Sequence, residues 1–172
     1  MVLAAGAATR FGGPKQALLL HDVLRAVRDA GLDEIVVVAG AHELETDARL
    51  VVCPDWELGP GASLRCGLAA LPADVEAAVV VLADGPDLAS DAIERVLAVW
   101  QDRGAAFVAA SYGGVRGHPV VLARTEWMDV PDEGLRAREP LLVPCDDLGD
   151  PGDVDRPDDL PERFRTSPGE PM

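Results

Sequence analysis

The sequence predicts a single α/β domain of three layers, a mainly parallel sheet with helices on both faces. Three observations carry this. Apolar runs of strand length alternate with segments of helical spacing, the pattern of right-handed βαβ units. Most of those runs are continuous rather than alternating, as in strands buried on both faces. Hydrophobic residues make up 48% of the 172-residue chain and aromatics only 4%, so the core is built from Ala, Val and Leu.

The elements follow in order. "MVLAA" is a short buried strand that runs into a glycine-rich turn. "VLRAVRDAG" places Val23, Leu24, Val27 and Ala30 at helical spacing and stops at Gly31, a suitable helix-terminating residue. "EIVVVAG" and "LVVC" are the second and third strands, and "GASLRCGLAAL" is a helix with Leu64, Leu68 and Leu71 on one face. "AAVVVLAD" is the strongest strand. Ser90 is placed to cap the next helix, which carries Ile93, Val96, Leu97 and Trp100 and closes at Gly104. "FVAAS" and "HPVVLA" flank a Gly-rich turn, and "PLLVP" is a late edge strand. The domain is expected over residues 1–160. Beyond it, residues 161–172 are expected to form a disordered tail with at most one short helix near Pro161–Arg165.

Composition narrows the partners. A net charge of −15 argues against nucleic acid or an anionic membrane, since both require clustered Lys and Arg. A polyanionic small molecule remains compatible if local cations, backbone N–H groups or a metal receive it. Cys53, Cys66 and Cys145 show no metal-ligand spacing and read as small buried hydrophobes in a reducing compartment. The start lacks a basic leader and no apolar stretch reaches about 18 residues, so a soluble, cytoplasmic protein is expected.

Ligands of such sheets sit beyond the C-terminal ends of the strands. "LAAGAATRFGGPK" leaves the first strand there, with small residues that let N–H groups approach phosphate oxygens and with Arg10 and Lys15 to supply charge. It is neither a Walker A loop nor a dinucleotide fingerprint. "VVVLADGPD" delivers Asp84 to the same edge, as a turn-former or as a metal-binding carboxylate. A phosphate about 4 Å from Asp84 would be repelled by roughly 4 kcal/mol at an effective dielectric near 20, which Mg²⁺ between them would reverse. Asp55 follows the third strand, and Ser63 stands at a helix start, where N–H groups favour anions. Arg116 and His118 share a glycine-flexed loop. Asp153 and Asp155 either bring a second carboxylate to the metal or solvate a tail.

Together these stretches resemble the nucleotidyltransferases of molybdenum-cofactor maturation, the MobA-like group of the nucleoside-triphosphate transferases, whose fold is Rossmann-like. The resemblance rests on Leu3-Ala4-Ala5-Gly6, Arg10, Gly12 and Pro14-Lys15, on Asp84-Gly85-Pro86, and on "PDW", "SLRCGL", "RGHPVVL", "DEGLRAR" and "DVDRPDDL" in that order. Ala5 and "GASLRCGL" are closest to the cytidylyl branch; the guanylyl branch tends to have Gly at Ala5. His21-Asp22 stand where the group commonly has a Gly-Lys-Pro-type turn.

The resemblance implies a Mg²⁺-dependent transfer of CMP from CTP to molybdopterin-type molybdenum cofactor, releasing pyrophosphate. It implies nucleotide binding at Leu3, Ala4, Ala5, Gly6, Arg10, Lys15, Asp55 and Ser63, with Arg10, Lys15 and Asp84 catalytic. Metal binding falls to Asp84 with Asp153 or Asp155, and Arg116 and His118 are assigned to the acceptor. The alternatives are a guanylyl or other NTP transferase with a different phosphorylated acceptor, or a weakened nucleotide-binding partner of a molybdenum hydroxylase. Transient contact with such a hydroxylase fits either case.

Overall fold

The computed structural model describes residues 1–165. Seven strands form one sheet: β1 (Val2–Ala4), β2 (Val36–Ala39), β3 (Arg49–Val52), β4 (Ala77–Leu82), β5 (Phe107–Tyr112), β6 (Val115–Ala123) and β7 (Leu141–Pro144). Their order is β3-β2-β1-β4-β6-β5-β7. β1 pairs parallel with β2 and β4, β2 with β3, and β5 with β7; β6 alone runs antiparallel, between β4 and β5. The three-layer expectation holds. Helices α1 (Lys15–Asp29) and α3 (Ser90–Arg103) cover one face, and α2 (Pro60–Ala69) covers the other.

Strand periodicity divides the core. Val37 and Ala39 join Leu20, Val23, Leu24 and Val27 of α1 on one face, while Val36 and Val38 join Leu64 and Leu68 of α2 on the other. All four β2 residues are buried, which is why its sequence shows no polar alternation. α3 packs Ala92 and Val96 on Val108, Val121 and Val143. Gly104 ends α3 with φ +60°, a conformation glycine adopts without the Cβ penalty.

Several details differ from expectation. α1 begins at Lys15, eight residues before its clearest apolar periodicity, and runs unbroken through His21-Asp22. Asp22 anchors Arg25 at 2.9 Å and Arg163 at 3.0 Å, so the position where the resemblance implies a turn serves a tertiary contact. Ser90 is the first helical residue rather than the cap, which is Ala89. Ser63 lies one turn inside α2, whose N-cap is Gly59. Residues 161–165 hold a 3₁₀ turn, Glu162–Phe164, with Phe164 packed beside Leu19, Val154 and Leu160. The rest of the expected tail, 166–172, lies outside the described residues.

The cysteine reading needs correction. Cys53 and Cys66 form a disulfide with their Cα atoms 5.7 Å apart, and Cys145 is free and buried. The chain between them folds straight back, because α2 packs on the sheet beside the end of β3. Thirteen residues of sequence therefore collapse to contact distance. The cysteines thus give no argument for a reducing compartment. Among the described residues no helix is long and apolar enough to cross a membrane.

The loop 130–134 lies so close over α2 that a Cβ on Gly61 would fall 1.7 Å from the Pro131 carbonyl oxygen. Alanine normally improves a helix interior by about 1 kcal/mol over glycine. Here backbone overlap wins, and Gly61→Ala is expected to lose about 1–3 kcal/mol, read as a lower urea midpoint.

Candidate active site

The glycine-rich loop is held by its carbonyls. Ala5 accepts from the Ala41 N–H at 3.0 Å, Gly6 from Gln16 Nε2 at 2.9 Å, and Ala8 from the N–H groups of Phe11 and Gly12. The Ala7 carbonyl lies 2.9 Å from His42 Nε2. Among the described residues, none of the N–H groups from Gly6 to Arg10 donates to a protein acceptor. Carbonyls are fastened inward and donors are left over, an arrangement suited to anion binding.

Lys15 stands at the end of this loop, buried with 5% exposure. Its Nζ lies 3.0 Å from Asp84 Oδ2 and 3.7 Å from Asp155 Oδ1, and donates to the Val154 carbonyl. Arg10 reaches the other oxygen of Asp155 at 2.6 Å. The Val154 N–H donates to the Asp84 carbonyl at 3.1 Å, and Val154 is buried beside Leu19. The segment carrying Asp153 and Asp155 is therefore a packed strap rather than a solvated tail. Arg163 fastens its far end to Asp22, Asp87 and the Pro86 carbonyl.

The carboxylates differ electrostatically. The Arg10 guanidinium, with Lys15, holds the Asp155 carboxyl below the usual range. Burial pushes Asp153 up, reinforced by the charges of Asp84 and Asp155. Asp155 has its cations; Asp153 shares a cavity wall with Asp84, feels the charge of Lys15 only weakly, and has no ion pair among the described residues. Among the described residues no group of three or more His, Cys, Asp or Glu side chains has metal-site geometry. The oxygen donors Asp84 and Asp153 nevertheless fit Mg²⁺, which takes one or two protein carboxylates and completes its shell with water and phosphate.

Three cavities converge on Leu82 at the end of β4. The first, about 370 Å³, is walled by Leu3, Ala5, Gly6, Gln16, Trp56, Ser63 and Asp84 among others. The second, about 260 Å³, contains Asp84, Asp153, Arg116, His118 and Tyr112. The third, about 220 Å³, is mostly apolar and lies between Phe107, Leu64 and the loop at Leu135. Hollows at the opposite edge of the sheet contain none of the candidate site residues.

Leu3, Ala5, Gly6, Arg10, Lys15, Ser63, Asp84, Asp153, Asp155, Arg116 and His118 are thus gathered at one sheet edge. Two expected residues are not. Asp55 is exposed at the start of the 3₁₀ turn Trp56–Leu58 and lines none of these cavities. Ala4 points into the α1-side core, as strand alternation between Leu3 and Ala5 dictates. Arg116 lines two cavities, but its guanidinium already donates to the carbonyls of Leu135 and Arg138 and lies over Phe107. Trp56 and Gln16 are wall residues not singled out from the sequence. Trp56 packs against Gly40, where a Cβ would fall 2.7 Å from the indole.

Comparison with known proteins accords with this geometry. The sequence profile of the MobA-like NTP transferase domain matches residues 1–139. A 2-phospho-L-lactate guanylyltransferase of Halobacterium salinarum is 36% identical over 121 residues, covering 70% of this chain and 53% of that protein. The chain spans about half or less of the curated relatives it matches, 40% in the case of the bifunctional protein GlmU of Azorhizobium caulinodans. The crystal structure of a homologue of Mycobacterium tuberculosis Rv0371c, from Mycobacterium sp. strain JC1, superposes with a TM-score of 0.75 at 26% identity, covering 92% of this chain and 90% of that one. Rv0371c itself, in complex with manganese, gives a TM-score of 0.69 at 28% identity, covering 92% of each chain.

His118 yields a pH prediction. Burial lowers its pKa from 6.5 to about 4, opposed by Asp84 and reinforced by Arg116. Between those values the unfolded chain takes up a proton that the folded chain refuses, so stability falls as pH drops through the window. The loss from this one group is on the order of 3 kcal/mol. Urea unfolding of wild type and His118→Gln at pH 7 and pH 4 is expected to show a correspondingly smaller loss in the variant.

Proposed function

The chain belongs to the MobA-like NTP transferase family, and from that premise we propose that it transfers CMP from CTP to the phosphate of molybdopterin-type molybdenum cofactor, releasing pyrophosphate. The observation that carries nucleotidyl transfer is the unspent run of loop N–H groups beside the Lys15–Asp84 pair. Cytidylyl choice and the acceptor rest on Ala5, "SLRCGL" and "RGHPVVL".

In this reading an oxygen of the acceptor phosphate forms a bond to the α-phosphorus of CTP. The bond from that phosphorus to the bridging oxygen breaks, and the electron pair leaves with pyrophosphate. The N–H groups of Gly6–Arg10 hold phosphate oxygens, and Arg10 and Lys15 offset charge on the leaving group, since such transfers depend on positioning and electrostatics. Arg10 is 71% exposed and can turn from Asp155 toward a triphosphate. Asp84 and Asp153 would hold a divalent cation, which supplies charge neutralisation to the triphosphate when bound. His118, neutral and between the second and third cavities, offers the acceptor a hydrogen bond without adding charge. Arg116 shapes the acceptor side by fixing the loop that closes it.

A second reading is guanylyl transfer to a smaller phosphorylated acceptor, favoured by the 36% identity to the phospholactate guanylyltransferase. Pyrophosphate release measured with each triphosphate, Mg²⁺ and molybdenum cofactor separates the two. CTP-dependent release is expected; preference for GTP would overturn the cytidylyl assignment and leave nucleotidyl transfer intact.

Asp84→Asn is expected to abolish metal-dependent turnover while the protein stays folded, and Lys15→Ala to lower turnover about 10²–10³-fold. Unchanged Mg²⁺ dependence in Asp84→Asn would move the metal elsewhere. A circular-dichroism melt of each variant separates lost chemistry from lost fold.

Ala5→Gly tests base choice. Its methyl occupies space in the first cavity that a purine would need, and overpacking costs about 1–3 kcal/mol, roughly ten- to a hundredfold in preference. The variant is expected to narrow the CTP-over-GTP ratio and keep CTP use; an unchanged ratio would remove Ala5 from base selection.

A further inference from the structure

The Gln16 side chain is a buried polar group that the chemistry above leaves unused. It follows Lys15 in the first turn of α1, is 4% exposed and forms part of the wall of the first cavity. Its Nε2 donates to the Gly6 carbonyl at 2.9 Å. Its Oε1 is buried and accepts a hydrogen bond from no described group. Turning the amide over does not help, because two oxygens would then face each other at Gly6. A buried acceptor without a donor is costly, so its presence in a cavity wall points to a donor that arrives with the ligand.

Triphosphate oxygens are acceptors at neutral pH and cannot supply that donor. The donor therefore belongs to the base or the sugar. The cavity favours the base: besides the polar Glu57, Ser63 and Asp84, its wall holds Leu3, the Ala5 methyl and the Trp56 indole, flat or apolar surfaces suited to the faces of a base rather than to ribose hydroxyls. We propose that Gln16 Oε1 reads the nucleobase by accepting a hydrogen bond from its exocyclic amino group. This rests on the nucleotide-transfer reading and makes the cavity selective for amino-bearing bases against uracil. Cytosine presents N4–H₂ where uracil presents the O4 acceptor, so uracil would set one acceptor against another. Ala5 limits the size of the base; Gln16 selects its hydrogen-bonding edge.

Calorimetric binding in Mg²⁺ tests this with changes on both partners. Wild type is titrated with CTP, UTP and the pyrimidinone triphosphate in which hydrogen replaces the 4-amino group, then Gln16→Met is titrated with the same three. Wild type is expected to bind CTP about ten- to a hundredfold more tightly than either analogue. In Gln16→Met, CTP and the pyrimidinone are expected to bind alike. If wild type proves to prefer GTP, inosine triphosphate, which lacks the 2-amino group, takes the analogue's place and the same loss is expected. Equal wild-type affinity for the amino and desamino nucleotides overturns the proposal without any variant, so a poorly folding Gln16→Met does not shield it. A CTP-to-pyrimidinone gap that survives in a folded Gln16→Met overturns it as well, as does coupling of Gln16 to 2′-deoxy-CTP instead. Absence of binding by every triphosphate overturns both this inference and the nucleotide-transfer reading; loss of the Gln16 coupling alone leaves that reading standing.

Discussion

One buried ammonium organises this molecule. Lys15 Nζ meets the carboxylate at the end of the central strand, a carboxylate of the C-terminal strap and a carbonyl between them. An amine this buried is tolerated because it is paired and hydrogen-bonded; breaking such a pair typically costs 3–5 kcal/mol through the charges left behind. The rest of the edge depends on that constraint. It fixes where α1 starts, holds the strap against the Asp84 turn, and leaves the loop before it with its carbonyls turned inward. Binding a polyanion then requires little new structure, since among the described residues those N–H groups have no protein acceptor to give up.

Topology explains how an acidic chain assembles such a place. The parallel strands deliver Leu3 and Leu82 to the same edge, and the antiparallel β6 enters that edge from the opposite direction. Its first residues, including Arg116 and His118, are thereby set beside the ends of β4 and β5 without a long loop. The net charge of −15 acts on this edge only locally, where Arg10 and Lys15 offset the carboxylates of Asp84 and Asp155 and the loop N–H groups stay without protein acceptors among the described residues.

The strands and helices were legible because each has an apolar run of the right length, and Asp84 was legible because the strongest run aims it at the sheet edge. The start of α1 was not. Lys15-Gln16-Ala17 shows no amphipathic period, and it is helical because Lys15 and Gln16 are gripped by partners distant in sequence. The Cys53–Cys66 bond was hidden by its 13-residue spacing, which means proximity only once α2 is known to fold back. Asp55 looks like a loop ligand because it is a polar residue after a strand; the chain turns there, leaving Asp55 exposed and placing Trp56 in the cavity wall. Gln16 left no mark in the pattern, since an unsatisfied acceptor is a property of packing.

The reach of the Lys15 contact bears on the order in which the molecule comes into being. Lys15 and Val154 are 139 residues apart. On a ribosome the glycine loop, β1 and the Asp84 turn emerge well before the strap that completes their charge balance. Sheet pairing among β1, β2, β3 and β4 can form in that interval, since none of those contacts waits for the later residues. The ligand edge cannot: a nascent chain exposes an ammonium and a carboxylate without the carbonyl and second carboxylate that define their positions. The charge balance around Lys15 thus closes only once Val154 and Asp155 have emerged, after the pairing of the strands that position it.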